Sequence, residues 1–385
     1  MKLTTTNDVV SSALAMVAGA VIKKSTVPIM AGVKIAVEGD VAILETFNYS
    51  GERRRVAFTI DSNSVDGMCV VNHEQFSAII AKLPGNVTLS LKGNDLIIRG
   101  GEFTGKVSAY PIGDWHFTGA AAEMIDGYTL ELPDPDVLAK VGMAASTDES
   151  RPTLTHIMLR VDFPTPEKIT DFILAATDGY RLTTYTNGNV GMGVVNMLIP
   201  RVAANGISKL ASVFKSPAVL HINHEHEKCV VEFAGAKEPL LWAKLDFSLG
   251  TDRFPNYEAI VPADNTATLT MLCSPLPLLA AVDRAVTFKG DIDRVILTLS
   301  QSSIQVARSV DTGGTDEIVP LMTDPSGAFS TDANIAVKMG FSGKYLMEGL
   351  GIFPALVTLR VTQPTRPMKM TDGGWIHVLM PMMIS

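Results

Sequence analysis

Phe172-Ile-Leu-Ala-Ala-Thr-Asp-Gly-Tyr-Arg-Leu-Thr-Thr-Tyr185 lies near the middle of this chain. Two β-prone runs flank Asp178-Gly179, a dipeptide suited to a tight turn because glycine accepts positive φ without steric cost. The stretch predicts an antiparallel hairpin, and alone it predicts nothing more. Its meaning comes from what recurs around it.

Recurrence is extensive. Asn72 and Gln75 have capping-box spacing ahead of Phe76, Ile79, Ile80 and Leu83, and Pro84-Gly85 ends that helix. The strand Val87-Thr-Leu-Ser-Leu91 follows. Far downstream, Ser342 caps a helix carrying Tyr345, Leu346, Leu350 and Phe353; Pro354 stops it and Val357-Thr-Leu-Arg-Val361 is the strand. Val87 and Val357 are 270 residues apart, twice 135, so a middle copy is expected halfway. Ile207, Leu210, Ala211 and Phe214 mark its helix, Pro217 ends it, and Val219-Leu-His-Ile222 is its strand.

Each copy opens with another amphipathic helix: Val9 to Val21, Val137 to Ala145, and Leu278 to Val286, the last begun by Ser274-Pro275. Lys24-Ser-Thr-Val27 matches Arg151-Pro-Thr-Leu154 after the first two of these helices. Lys106-Val107 with Asp114 matches Lys244-Leu245 with Asp252, and Thr46-Phe-Asn-Tyr49 echoes Thr177-Asp-Gly-Tyr180. Domains are therefore expected at residues 1–124, 125–262 and 263–385. Each holds two helices and roughly eight short strands, an α+β unit with antiparallel sheets on one side and two helices on the other.

Composition bounds the function. A chain of 385 residues with 46% hydrophobic and 19% charged residues describes several well-buried globular domains. No run of 18 apolar residues is present, and Met1 to Asp8 carries no apolar signal core. Cys69, Cys229 and Cys273 are odd in number with no CxxC, which favours reduced thiols and a cytoplasmic location. With 32 basic and 40 acidic residues the net charge is −8, against nucleic-acid binding as a whole-chain average. Binding follows the local field, so the average does not decide it.

Catalytic patterns are weak. His221, His224, His226 and Cys229 lie on an expected hairpin, Val219 to Phe233, where alternation sends His224 and His226 out near the turn. A solvated hairpin tip is the reading taken, with a metal hydrolase as the weakest rival. Gly188-Asn-Val-Gly-Met-Gly193 fits neither the dinucleotide nor the P-loop fingerprint. No Gly-x-Ser-x-Gly elbow occurs, and no carboxylate pair is spaced for acid–base work.

Ala176-Thr-Asp-Gly-Tyr-Arg-Leu182, then Arg253-Phe-Pro-Asn-Tyr257, then Val378-Leu-Met-Pro-Met382 give a more specific signal. In that order they resemble the bacterial DNA polymerase III beta subunit family, the sliding clamps. The resemblance implies a non-enzymatic homodimer without cofactors, closed head to tail into a six-domain ring with helices lining the hole. It implies a pocket for short motifs with Gln and a Leu-Phe-like pair, brought by polymerase, clamp loader and repair proteins. The matching positions are Leu154, Thr177, Gly179, Tyr180, Arg181, Leu182, Pro255, Ile260, Tyr345, Val378, Met380, Pro381 and Met382. Met380 and Met382 are expected to alternate on one terminal strand, as adaptable side chains on a surface serving several partners.

Duplex DNA is expected at Lys24, Lys82, Lys140, Arg151, Lys209 and Arg284, with Lys23, Lys215, Lys289 and Lys344 also on or beside helices. Phosphate contact without base readout would let the duplex slide. Phe288 matches an apolar residue at the subunit contact. Three positions depart from the family pattern: Tyr180 stands where His is common, and Ala259 and Met383 where Arg is common. The rim is thus less basic than usual. The main rival reading is a diverged clamp-like scaffold that binds peptides but does not hold DNA.

Overall fold

The computed structural model describes all residues except 50, 117–126, 135, 163–167, 191–193, 224–226, 235–237, 251, 322–334 and 385. One pattern of elements passes three times: strand, helix, four strands, helix, three strands. The first pass runs β1 (Lys2–Thr6), α1 (Asn7–Val17), β2 (Gly32–Glu38), β3 (Val41–Phe47), β4 (Arg53–Thr59), β5 (Gly67–Asn72), α2 (His73–Ile80), β6 (Asn86–Lys92), β7 (Asp95–Gly100) and β8 (Phe103–Tyr110). The second runs β9 (Tyr128–Glu131), α3 (Val137–Gly142), β10 (His156–Asp162), an added β11 (Lys168–Ile169), β12 (Phe172–Thr177), β13 (Arg181–Asn187), β14 (Val194–Pro200), α4 (Arg201–Phe214), β15 (Val219–Asn223), β16 (Lys228–Ala234) and β17 (Leu240–Ser248). The third runs β18 (Leu269–Cys273), α5 (Pro275–Val286), β19 (Arg294–Leu299), β20 (Ser303–Val310), β21 (Gly313–Pro320), β22 (Val337–Ser342), α6 (Gly343–Leu350), β23 (Val357–Val361), β24 (Met368–Asp372) and β25 (Trp375–Leu379).

Local chemistry explains the helix ends. Asn72 Oδ1 accepts from Gln75 N at 2.9 Å and Ser342 Oγ from Tyr345 N at 3.4 Å, so α2 and α6 begin on the same kind of cap. α5 begins at Pro275, where a missing N–H costs nothing. Four helices are shorter than their apolar spacing predicts: α2 and α6 stop at Ile80 and Leu350, before Leu83 and Phe353, and α1 and α3 also end early. α1 gives way at Ala18 to a one-turn helix, Ala18–Ala20. α3 ends at Gly142, a poor helix former, and its last turn tightens as Ala144 N and Ala145 N bond Val141 O and Gly142 O.

The chain divides into two compact units. Residues 1–139, 163–170 and 199–251 form one; residues 140–162, 171–198 and 252–385 form the other. The first carries a 13-stranded sheet in the order β1-β6-β7-β8-β5-β2-β3-β4-β17-β16-β15-β9-β11. Its β4 pairs antiparallel with β17, Arg53 opposite Asp246, so the sheet continues from the first repeat into the second. The second unit carries β14-β10-β12-β13-β25-β24-β23-β18 and, separately, β21-β20-β19-β22. There β13 pairs with β25, Leu182 opposite Val378.

Helices cover the sheets with their apolar faces. Val10, Ala13, Leu14 and Val17 of α1, with Phe76 and Ile80 of α2, are buried in the first unit. In the second, Leu278, Val282 and Ala285 of α5 join Leu346 and Leu350 of α6 over Leu297, Val306, Phe341 and Leu359. Each large side chain so buried stabilises by about 1.5–3 kcal/mol.

Candidate functional site

The hairpin between β12 and β13 turns through Asp178, Gly179 and Tyr180, with Gly179 at φ +92°, where a side chain would be strained. Asp178 Oδ1 accepts from Tyr180 N at 2.9 Å and Arg181 N at 3.1 Å, and Thr177 Oγ1 donates to Arg181 O at 2.6 Å. The turn is therefore held by its own side chains, and Tyr180 is left 63% exposed at the tip.

Arg181 is a buried clasp. Its Nε donates to Asp178 Oδ2 at 3.2 Å, one terminal nitrogen to Glu348 of α6, and the other to Met143 O at 2.5 Å. Its guanidinium lies 4.1 Å from the Tyr345 ring centroid. Burial, with Asp178 close by, pushes the Tyr345 phenol above its ordinary pKa. Arg181 and Tyr345 thus join the hairpin to α6. Glu348 and Met143, which complete the clasp, carry no signal of it in the sequence.

Leu182 and Val378 lie side by side in a buried cluster with Met158, Ala175, Leu198, Phe254 and Tyr257. The segment Phe254 to Tyr257 packs onto this cluster. Arg160 ties it down, donating to Glu258 Oε1 at 2.5 Å and to Asn196 Oδ1 at 3.2 Å, 5.7 Å from the Tyr257 ring centroid. In the segments adjoining this cluster, Tyr180, Ile260 and Met380 are 63%, 48% and 40% exposed. They come from three segments: the hairpin tip, the one-turn helix Tyr257–Ile260, and the chain after β25. Met380 N donates to Tyr180 O at 2.9 Å, so two of the three are bonded to one another. Pro255 is exposed and Pro381 half-buried in the same segments. Leu154, half-buried on the one-turn helix Pro152–Thr155, is not a member of the cluster.

Two expectations need correction. Met380 and Met382 do not share a strand: β25 stops at Leu379, and Met382 N instead donates to Gly340 O of β22 at 2.8 Å. Pro381 has no N–H for a continuing ladder, and the chain passes from one sheet to another. Arg294 then holds Met383 O at 2.6 Å. Lys24 and Arg151 also differ in local setting. Lys24 lies four residues before the one-turn helix starting at Pro28, whereas Arg151 lies one residue before that starting at Pro152.

Comparison with known proteins agrees with this architecture. Residues 1–115 match the family model of the DNA polymerase III beta subunit, N-terminal domain. The beta sliding clamp of Caulobacter vibrioides is 26% identical over the whole of both chains. Over its whole length the chain is thus similar to beta sliding clamps. The beta subunit structure from Thermotoga maritima matches over all of both chains, with TM-score 0.78 and 17% identity. So does that of the Helicobacter pylori beta clamp bound to DNA ligase peptide, with TM-score 0.76 and 16% identity.

The basic residues expected to meet DNA stand in unlike surroundings. Lys24, Lys82 and Lys209 are exposed, but only Lys209 lies on a helix; Lys24 and Lys82 follow α1 and α2. Arg151 is exposed, with Asp148 Oδ2 at 3.8 Å. Lys140 lies 5.8 Å from the Trp375 ring centroid. Arg284 is held by both carboxylate oxygens of Glu317 on β21, at 2.9 and 2.5 Å. That pairing raises the arginine pKa and lowers the glutamate's. Phe288 is half-buried beside Gly313 of β21, which ends the order of its four-stranded sheet.

Of the cluster around His221, only His221 and Cys229 are described. His221 lies on β15 opposite Val230, and Cys229 is buried on β16, where burial holds its thiol well above the ordinary pKa. His224, His226 and Gly191 to Gly193 lie outside the described residues. Among the described residues no group of three or more His, Cys, Asp or Glu could hold a metal, and no helix is long and apolar enough to cross a membrane.

His377 went unremarked in the sequence. It sits opposite Thr183 in the β13–β25 pairing, its Nδ1 2.8 Å from Thr183 Oγ1, and Nε2 has no hydrogen-bond partner among the described residues. Burial, then the nearby Arg181 charge, pulls its pKa down to about 3. The folded chain keeps this ring neutral where the unfolded chain, titrating near 6.5, takes a proton. Stability is therefore full above about pH 6.5 and falls as pH drops toward 3, by at most about 1.4 kcal/mol per pH unit. His377→Gln should flatten the stability profile between pH 6 and pH 4. Burial also lowers the pKa of His73, so a shallower acid limb should persist. Urea unfolding across that range measures it; an unchanged slope would mean His377 protonates within the fold.

Proposed function

We infer that this chain is a DNA sliding clamp, encircling duplex DNA and tethering a replicative polymerase so that synthesis is processive. The observation that carries this is the thrice-repeated strand–helix pattern, in a chain similar over its whole length to beta sliding clamps. A tethered polymerase stays at high effective concentration near the primer end, and topology rather than tight binding retains the ring. The domains are assigned to residues 1–124, 125–262 and 263–385; the first boundary lies outside the described residues. Two copies close head to tail into a six-domain ring, with Phe288 and the adjoining β21 at the subunit contact. The protein works without a catalytic step or cofactor, in the cytoplasm.

The rim of Tyr180, Ile260 and Met380 receives the apolar pair of a short partner motif, over the floor of Leu182 and Val378. A beta clamp relative bound to a DNA ligase peptide supports this class of partner. Polymerase, clamp loader and repair proteins share the site. Lys24, Lys82, Lys140, Arg151, Lys209 and Arg284 are assigned to the DNA side, Arg284 only after release from Glu317.

Retention on DNA tests the whole reading. Loaded protein should stay on nicked circles and leave once they are linearised. Lys24→Glu with Arg151→Glu should shorten retention and reduce the salt slope by about 2 per chain if both residues meet phosphates. Equal retention on circular and linear DNA would overturn the topological mechanism.

A further inference from the structure

The β3–β4 hairpin holds the place in the first repeat that the β12–β13 hairpin holds in the second, and both tips present an exposed tyrosine. Tyr49 is 66% exposed and Tyr180 is 63% exposed. Their neighbours differ in kind. Tyr180 O accepts from the apolar Met380 segment. The Tyr49 hydroxyl lies 3.4 Å from Ser25 Oγ, in the segment that follows α1 and carries Lys23 and Lys24, both exposed.

The first tip is built to turn its ring outward and its carboxylate inward. Asn48 and Glu52 close it through Asn48 N to Glu52 O and Glu52 N to Asn48 Oδ1, both 3.0 Å, with Gly51 at φ +80°. Glu52 is 4% exposed and paired with Arg54 at 2.6 Å, which removes its negative charge from the surface beside Tyr49. An aromatic face thus stands beside two lysines with the loop's own acid withdrawn. That chemistry fits a polyanion with planar groups.

We propose that Tyr49, with Lys23 and Lys24, is a DNA contact of the first repeat, the lysines on phosphates and the ring stacked on an unpaired base at a primer–template junction. It rests on the reading that the chain holds DNA, and adds a preference for junctions over continuous duplex. Aromatic–base stacking tolerates any sequence, as a protein moving along DNA requires. The two repeats then use one hairpin position for two partners: the second meets an apolar peptide, the first a nucleic acid.

The test is a fluorescence titration of the full chain, at low salt, against a duplex with a single-stranded 5′ overhang and against a blunt duplex of equal paired length. Tyr49→Ala should lose about fivefold or more in affinity for the overhang substrate and little for the blunt one. Tyr49→Phe should bind like wild type, and Lys23→Glu with Lys24→Glu should lose affinity for both. Circular dichroism checks the fold of each variant. Wild-type affinity of Tyr49→Ala for the overhang DNA overturns the proposal and leaves the DNA-holding reading intact, as does an equal loss on both substrates. Failure of the wild-type chain to bind either DNA overturns both.

Discussion

Deletion of Met380 to Ser385 should abolish binding of a peptide carrying Gln and a Leu-Phe pair while leaving helices and sheets in place. The segment lies beyond β25, so no sheet pairing of that strand is lost. What goes is one of the three sides of the proposed rim, with the bonds from Met380 N to Tyr180 O and from Met382 N to Gly340 O. An apolar side chain buried in such a site gains about 1.5–3 kcal/mol, so losing most of that burial weakens binding by more than tenfold. Met380→Ala with Ile260→Ala is the milder test, because both residues are substantially exposed and their truncation spares the core. Leu182→Ala is a poor probe: Leu182 is fully buried, and its truncation costs about 2–5 kcal/mol of fold stability before any peptide is added. Anisotropy with a labelled peptide, and circular dichroism on each variant, separates the two effects. Wild-type affinity after the deletion would move the partner site away from this rim.

Features carried by neighbouring residues were legible in the sequence. Asp178-Gly179 does make a hairpin, Asn72 and Ser342 do cap their helices, and the 270-residue offset does join two strands, β6 and β23, that follow capped helices. The turn and the caps depend on side chains within about one helical turn of each other. Contacts between distant segments left no such trace. The ion pair from Arg53 Nε to Asp246 Oδ2 spans 193 residues, and Arg181 meets Glu348 across 167. The candidate site was half readable for the same reason. Its apolar residues could be matched one by one, but Arg181 looked like an open wall position, and only the fold reveals a clasp. Met382 misled because alternation predicts which face a residue takes, not which sheet the strand will join.

Arg54 should prove the residue whose loss unfolds the first unit most readily. It is 5% exposed on β4 and paired with Glu52, itself 4% exposed. Its remaining donors reach Met16 O on α1 at 3.4 Å and Val202 O on α4 at 3.2 Å, so one guanidinium binds a helix from each of two repeats. Gly19, in the one-turn helix that follows α1, and Gly206 on α4 make room for it. A Cβ at Gly19 would lie 2.2 Å from the guanidinium carbon, and one at Gly206 would lie 2.6 Å from a terminal nitrogen. Arg54→Met keeps much of the volume but strands the Glu52 carboxylate in a buried site and frees two carbonyls, a loss of about 3–5 kcal/mol. That is a large share of the roughly 5–15 kcal/mol that holds a domain folded. Glu52→Gln in the same chain removes the stranded charge, so the double variant should recover much of the loss. Urea midpoints of the two single variants and the double variant measure the coupling. If the single Arg54 variant unfolds within about 1 kcal/mol of wild type, the pair behaves as a surface ion pair, and the two glycines need another explanation.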